Sequence, residues 1–319
     1  MKELKVLFVV ILFTGITYYG VEPFAHHAMH KQVDANGQEV IYEAKDFKYP
    51  DLKAVTAKGD ATAGKAMISA CTGCHGIESQ KIKAPMDASM SAGAYGVNPP
   101  DLSVAGAIFD EQFLMNFIMN PTHASMVEHK FKGGKVYPMP VVAPDAQTAA
   151  NIVAYLKSIA PKMEEVTPKE AFVAACGRCH ADRYGKWTQI GDVPTTKANI
   201  VTHQNPELMK FDVKVAEYQD HLAKYMGKLP PDLSIMIRAR SEHFMEHFIE
   251  NPQSQLPGTA MPRVGVNEEG YAKVMAYLEE TGDPSKPKRE AIGPWVLGFF
   301  FIFTFLAYLW KRSQWKDLH

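Results

Sequence analysis

The sequence has few cysteines and almost no net charge. Four cysteines occur among 319 residues, and the formal net charge is −1. This charge excludes a strongly basic nucleic-acid binder and provides no strong overall field for attracting a charged partner. The 46% hydrophobic and 22% charged content allows two compact domains with additional segments. The positions of the scarce cysteines are therefore the most informative feature.

All four cysteines fall in two copies of Cys-x-x-Cys-His, at residues 71–75 and 176–180. At this spacing two thiols on one helical turn can add to the vinyl groups of a haem, and the histidine can bind the iron. The motifs predict two covalently bound haem c groups. The expected attachment and ligand residues are Cys71, Cys74 and His75 in the first motif and Cys176, Cys179 and His180 in the second. A zinc site or a redox dithiol remains an alternative.

An internal repeat extends well beyond the two motifs. The segment Pro99–Ser103 returns as Pro230–Ser234, and Phe113–Pro121 returns as Phe244–Pro252, both at an offset of 131 residues. From the motif to the Pro-Pro-Asp-Leu-Ser segment the second copy is 26 residues longer, with a predicted helix over 206–228. The repeat indicates one ancestral unit used twice.

Two methionines are the predicted second iron ligands. Met139 and Met261 are each followed by proline, and each precedes a tyrosine by sixteen residues. A thioether opposite an imidazole raises the reduction potential and leaves no open iron site, which suits an electron carrier. The rival ligands are His123 and His129 in the first copy and His243 and His247 in the second.

Helix signals predict small helical domains. Thr167-Pro168-Lys169-Glu170 has the pattern of a capping box with proline at the first helical position. Further helix starts are predicted at Asp60, Asp110, Asp145, Ser241 and Asn267. No convincing alternation of apolar and polar residues interrupts this pattern, so each half is expected to be a few short helices around a haem.

Apolar segments occur at both ends of the chain. Ile292–Trp310 contains nineteen residues without a charge and is long enough to span a membrane. The basic residues after it place the C-terminus in the cytoplasm. Val6–Tyr19 resembles a signal-peptide core, but no small-x-small cleavage site follows, so an uncleaved anchor with a cytoplasmic N-terminus is expected. The region between the anchors would then be periplasmic.

Residues 229–240, Leu-Pro-Pro-Asp-Leu-Ser continuing to Arg238-Ala-Arg, resemble the corresponding segment of cytochrome c1, as does one C-terminal anchor after a haem domain. The whole chain is similar to dihaem cytochrome c1 subunits of bacterial quinol–cytochrome c reductases. This resemblance implies electron transfer from a Rieske iron–sulfur protein to a soluble cytochrome c or an oxidase. It also implies a b-type cytochrome partner, a dimeric complex, a propionate contact for Arg238 and Met261 as axial ligand.

The expected fold is all-α, with two tandem class I cytochrome c-like domains between N- and C-terminal transmembrane helices in a bacterial inner membrane. The expected segments are 1–30 (anchor), 55–160 and 165–284 (haem domains) and 291–311 (anchor). No residue is assigned to substrate chemistry within this chain alone. Two other functions remain open: the dihaem subunit of a cbb-type terminal oxidase, and a membrane-bound dihaem peroxidase or sensor.

Overall fold

A computed structural model describes residues 2–29, 31–41, 47–133, 135–195 and 205–316, and the chain is mostly helical within these ranges. Residues 1, 30, 134 and 196–204, which belong to the expected anchor and the two expected haem domains, lie outside them. The earlier helices are α1 (Lys2–Ile16), α2 (Glu22–Met29), α3 (Ala61–Met67), α4 (Ser69–Thr72), α5 (Ala88–Tyr95), α6 (Ala105–Ile108), α7 (Glu111–Met119), α8 (Pro121–Ala124) and α9 (Ala146–Ile159). The later ones are α10 (Pro168–Phe172), α11 (Pro206–Met226), α12 (Met236–Ala239), α13 (Glu242–Glu250), α14 (Pro252–Gln255), α15 (Glu268–Gly282) and α16 (Lys286–Gln314).

Two short antiparallel pairs of strands depart from the expected all-helical pattern. β1 (Lys31–Val33) pairs with β2 (Glu39–Ile41), and β3 (Trp187–Thr188) pairs with β4 (Gly191–Asp192). Strands of two or three residues are too short to show a recognisable alternation in sequence.

The predicted helix starts are confirmed. At each, the side chain of the capping residue accepts a hydrogen bond from a backbone N–H of the first turn. These residues are Asp60, Asp110, Asp145, Thr167, Asn205, Ser241 and Asn267. Two helix ends differ from expectation. The sequence predicts one helix from Asp60 to Cys71, but α3 stops at Met67 before α4 begins, and α11 ends at Met226, before the predicted end at residue 228. The following Gly227 has φ +88°, a left-handed conformation that terminates a helix.

The helices between the terminal segments form two sets, α3–α9 and α10–α15. In the first set α3 packs on α9, and in the second α10 packs on α15. Gly64 permits the close approach of α3, because a Cβ atom there would lie 2.0 Å from the backbone oxygen of Asn151. Ile152 is buried in the first apolar core and Phe172 and Leu278 in the second.

The inserted helix α11 connects the two sets. It packs on α5, and its Tyr218 and Leu222 side chains are fully buried. The Tyr218 hydroxyl donates to the carbonyl of Arg178 (2.7 Å) in the second set and accepts from the N–H of Asn98 (3.0 Å) in the first. This helix is therefore part of the contact between the sets.

A backbone segment of the second set also lies along the first. The N–H of Arg263 donates to the carbonyl of Ser125 (2.9 Å), and the N–H of Asp110 donates to the carbonyl of Gly265 (2.9 Å). The segment begins two residues after Met261, so contacts with the first set hold the chain next to that methionine.

Two terminal helical segments are long and apolar enough to span a membrane. They comprise Lys5–Ala28, with 24 residues, and Lys286–Gln314, with 29 residues. Their central side chains are exposed, in contrast with those of a core helix. These features suit membrane anchoring.

Candidate functional site

The two Cys-x-x-Cys-His motifs adopt the same turn. In the first, the N–H of His75 donates to the carbonyl of Cys71 (2.9 Å), and in the second, the N–H of His180 donates to that of Cys176 (3.0 Å). The backbone N–H groups of Cys74 and Cys179 donate to the same two carbonyls, each at 3.1 Å. All four thiols are free of disulfide bonds. The structure thus presents two thiols and one imidazole from each helical turn.

Each motif histidine is oriented by a proline carbonyl. Nδ1 of His75 lies 2.8 Å from the carbonyl oxygen of Pro100, and Nδ1 of His180 lies 2.7 Å from that of Pro231. A hydrogen bond at Nδ1 leaves Nε2 as the nitrogen for binding a metal. Burial lowers the pKa of both histidines, and the proline carbonyls act in the opposite direction. The neutral imidazole that an iron ligand requires is therefore favoured.

The repeated Pro-Pro-Asp-Leu-Ser segment is held against its motif by equivalent hydrogen bonds. Asp101 accepts from the N–H of Glu78 (2.9 Å), and Asp232 accepts from the N–H of Arg183 (3.2 Å). The leucine N–H in the first segment donates to the carbonyl of Gly76, and its counterpart donates to that of Ala181, both at 2.9 Å. These contacts explain the repeat, because they position the carbonyl that orients each histidine.

The first motif faces a cavity of about 190 Å³. Cys71, Cys74, His75 and Met139 all contribute to its lining. Apolar walls are provided by Leu102, Phe109, Leu114, Phe117, Ile118, Ile152 and Leu156. The cavity combines two thiols, an imidazole, a thioether and an apolar enclosure. This donor set fits a covalently attached haem c.

The rival histidines of the first copy have other surroundings. His123 lies 3.4 Å from the carboxylate of Glu128, with its side chain 53% exposed. His129 is exposed on the neighbouring short helical turn. Met139, by contrast, lines the cavity with His75. The geometry favours the methionine, whose role as a ligand stays a prediction.

The predicted residues of the second copy lie around the second apolar core. Cys176 and Met261 are both half-buried against it. The rival residues His243 and His247 pack on each other along α13, with ring centroids 4.2 Å apart. The assignment of Met261 as a ligand remains a prediction.

Three of the four thiols are in surroundings that disfavour the thiolate. Burial raises the pKa of Cys71 and Cys179, and raises that of Cys176 to about 12. Redox-active and zinc-binding cysteines are instead stabilised as thiolates. The described surroundings therefore favour the attachment of an apolar group over either alternative.

Arginine side chains line both a polar cleft and the first cavity. Arg238 lines a polar cleft together with Glu242, Asp283 and Arg289 near the start of α16. Its predicted propionate contact stays a prediction. Arg178 and Arg263, which were not predicted as site residues, line the first cavity. Arg178 could have been noticed as a basic residue inside the second motif, whereas Arg263 is marked only by its proximity to Met261.

Comparison with known proteins agrees with this geometry. The family model for cytochrome c matches residues 61–160, which include the first motif, the Pro-Pro-Asp-Leu-Ser segment and Met139. Residues 61–160 form a cytochrome c domain. Such a domain implies covalently bound haem c. The fit of the cavity residues to this group is consistent with the match.

Two curated proteins are similar over about half of the chain. The ammonia monooxygenase gamma subunit of Nitrosomonas europaea is 23% identical over 194 residues, covering 47% of this chain and 81% of that protein. Cytochrome c1 of Allochromatium vinosum is 25% identical over 203 residues, covering 46% and 82%. A chain of a hyperthermophilic respiratory Complex III is 28% identical, with a TM-score of 0.33, covering 49% of this chain and 76% of that chain.

Proposed function

We propose that this protein is a membrane-anchored dihaem c-type cytochrome, the cytochrome c1 subunit of a quinol–cytochrome c reductase. It would pass electrons from a Rieske iron–sulfur protein to a soluble cytochrome c or an oxidase. The main support is the repeated geometry in which a proline carbonyl orients the histidine of each Cys-x-x-Cys-His motif at 2.7–2.8 Å. The similarity to a cytochrome c1 supports the choice of complex.

The residues that would hold the haems follow from this repeat. Cys71 and Cys74, and likewise Cys176 and Cys179, supply the thioether bonds. His75 and Met139 ligate the first iron, and His180 and Met261 ligate the second. When bound, each haem iron takes up and releases one electron.

The surrounding chain sets the conditions for this exchange. The Pro100 and Pro231 carbonyls hold the imidazoles in one orientation and make them better electron donors to the metal. The apolar side chains of the first cavity exclude water, and a thioether ligand stabilises the reduced state.

The haem domains would lie in the periplasm, anchored in the bacterial inner membrane by helices at both ends, with both termini in the cytoplasm. A b-type cytochrome and a Rieske protein would be partners in a dimeric complex. We assign the Rieske contact to the second haem domain, because it precedes the C-terminal anchor and carries the segment that resembles cytochrome c1. Arg238 would contact a propionate of the second haem.

Mass spectrometry of the intact purified chain tests the cofactor assignment. We expect a mass with two haems and an unprocessed N-terminus, whereas one haem would contradict the dihaem proposal. Purification from native membranes tests the complex: a Rieske protein should copurify, and a copper–haem oxidase in its place would indicate the cbb-type alternative. Failure of carbon monoxide to bind either reduced haem would argue against a peroxidase or sensor.

A further inference from the structure

A cation from the second motif lines the cavity of the first. Arg178, the residue before Cys179, contributes to the same cavity as His75, Met139 and Tyr137. It is half-buried, and none of the described carboxylates forms an ion pair with it. A guanidinium in largely apolar surroundings is costly unless an anion compensates its charge. The cavity is therefore suited to an anionic group.

The other arginine of this cavity already has its partners. Both terminal nitrogens of Arg263 bind the carboxylate of Asp51, at 2.7 and 2.8 Å, and its Nε donates to the carbonyl of Ala124 at 2.8 Å. The guanidinium of Arg263 is thus already hydrogen-bonded to groups of the protein. Arg178 is left as the arginine of this cavity that can bind an anionic ligand.

The backbone around Arg178 is held in place from two sides. The Trp187 indole N–H donates to the carbonyl of Gly177 (3.0 Å), where a Cβ atom would lie 2.7 Å from the same indole nitrogen. The Tyr218 hydroxyl donates to the carbonyl of Arg178 (2.7 Å). The long insert of the second copy supplies Tyr218, so it helps to fix the position of this cation.

Three tyrosines, Tyr95, Tyr137 and Tyr225, line the first cavity together with Arg178. Burial raises the pKa of Tyr137 and Tyr225, and the nearby guanidinium acts in the opposite direction. Neutral tyrosines can donate hydrogen bonds to an anion but cannot neutralise it. The compensating charge must come from arginine.

We propose that Arg178 binds the carboxylate groups of the haem held by the first motif, so that the second motif supplies the charge that compensates the first haem. This inference rests on the proposed function, because it requires a haem at each motif. A fixed positive charge near an iron centre favours the reduced form, which carries one positive charge fewer. Arg178 would therefore raise the potential of the first haem.

The test is a potentiometric titration of the full-length protein in detergent, followed by visible absorption. Arg178→Gln is expected to lower the potential of the first haem more than that of the second. The Met139→Ala and Met261→Ala variants assign each potential to its site. Arg183→Gln is the matched control, since it removes the same charge three residues after His180 from a side chain that is 85% exposed.

A second variant gives an independent answer if Arg178→Gln does not accumulate. Arg178→Leu also removes the charge, but it places an apolar side chain in the largely apolar cavity. The potential of its first haem is expected to fall more than that of the second. A change in the first potential no larger than that in Arg183→Gln would overturn the proposal.

The proposal is also overturned if Arg178→Gln changes the first potential no more than Arg183→Gln does, or changes the second potential more than the first. The number of haems distinguishes a failure of this proposal from a failure of the proposed function. Two haems by mass with no effect of Arg178 would refute only the role of this arginine. Fewer than two haems in the wild type would refute the dihaem function itself.

Discussion

Loss of the Asp51 carboxylate, which precedes α3 and pairs with Arg263 of the second set, is expected to destabilise the fold strongly. Its partner Arg263 is only 2% exposed, and two nitrogen–oxygen contacts of 2.7 and 2.8 Å join them. The guanidinium also lies 5.1 Å from the centre of the Tyr49 ring. Asp51→Ala leaves this buried cation without its carboxylate. Such a loss costs about 3–5 kcal/mol in the free energy of unfolding.

The magnitude can be checked by urea denaturation of the full-length protein in detergent, followed by circular dichroism. With an m-value of about 3 kcal/mol/M, the midpoint should fall by roughly 1–2 M. The double variant Asp51→Ala/Arg263→Met removes both charges and is expected to be more stable than Asp51→Ala alone. Because Met261 precedes Arg263 by two residues, the visible absorption spectrum of the second haem should change together with the free energy of unfolding.

A surface ion pair provides the control. Lys169 Nζ lies 2.6 Å from Asp192 Oδ1, and the two side chains are 44% and 57% exposed. Asp192→Ala should therefore lower the free energy of unfolding by less than about 1 kcal/mol. The reasoning would be refuted if Asp51→Ala cost no more than this control. The reasoning would also fail if the double variant lost as much unfolding free energy as Asp51→Ala and Arg263→Met lose together when each is measured alone. The penalty would then not arise from an uncompensated charge.

Three further predictions concern the haem ligands, the packing and the response to pH. Met139→Ala and Met261→Ala should each lower the potential of one haem, because a thioether ligand stabilises the reduced iron; unchanged potentiometric titrations would contradict the ligand assignment. Gly64→Val should destabilise the protein by at least about 1–3 kcal/mol, measured by thermal unfolding, because its Cβ would meet a backbone oxygen at 2.0 Å. Arg289 holds the pKa of Asp283 at about 2, below its unfolded value, so this pair stabilises the fold above about pH 4 and the stabilisation is lost as the pH falls towards 2. The difference in stability between the wild type and Asp283→Asn should therefore shrink on acidification, and a difference as large at pH 2 as at pH 7 would contradict the assignment.

The local elements follow closely from the sequence because their signals are local. An N-cap side chain needs only the next turn of backbone, so residues such as Asp110 and Asn267 mark helix starts wherever the helix packs. The exact ends of the helices were harder to predict from the sequence. The break after Met67 separates α3 from α4, which carries Cys71. The strands of two or three residues carry too little pattern to detect.

The residue types of the candidate site could be predicted from the sequence, but their arrangement in space could not. The spacing of Cys71, Cys74 and His75 is sufficient to indicate haem attachment, and the repeat distinguishes Met139 from other methionines. The structural reason for the repeated Pro-Pro-Asp-Leu-Ser segment was not evident. A proline carbonyl has no side-chain signal, and its contact with His75 spans 25 residues of chain.

The sequence by itself determined which groups can form bonds to a cofactor: four thiols, two adjacent histidines and two methionines at repeated distances. These are properties of residue type and short spacing, which survive in an unfolded chain. Only the tertiary structure decided that Arg178 of the second motif lines the first cavity and that the segment after Met261 is held by Ser125 and Asp110. Such contacts join residues far apart in sequence, and no local rule encodes which distant surfaces will bury one another.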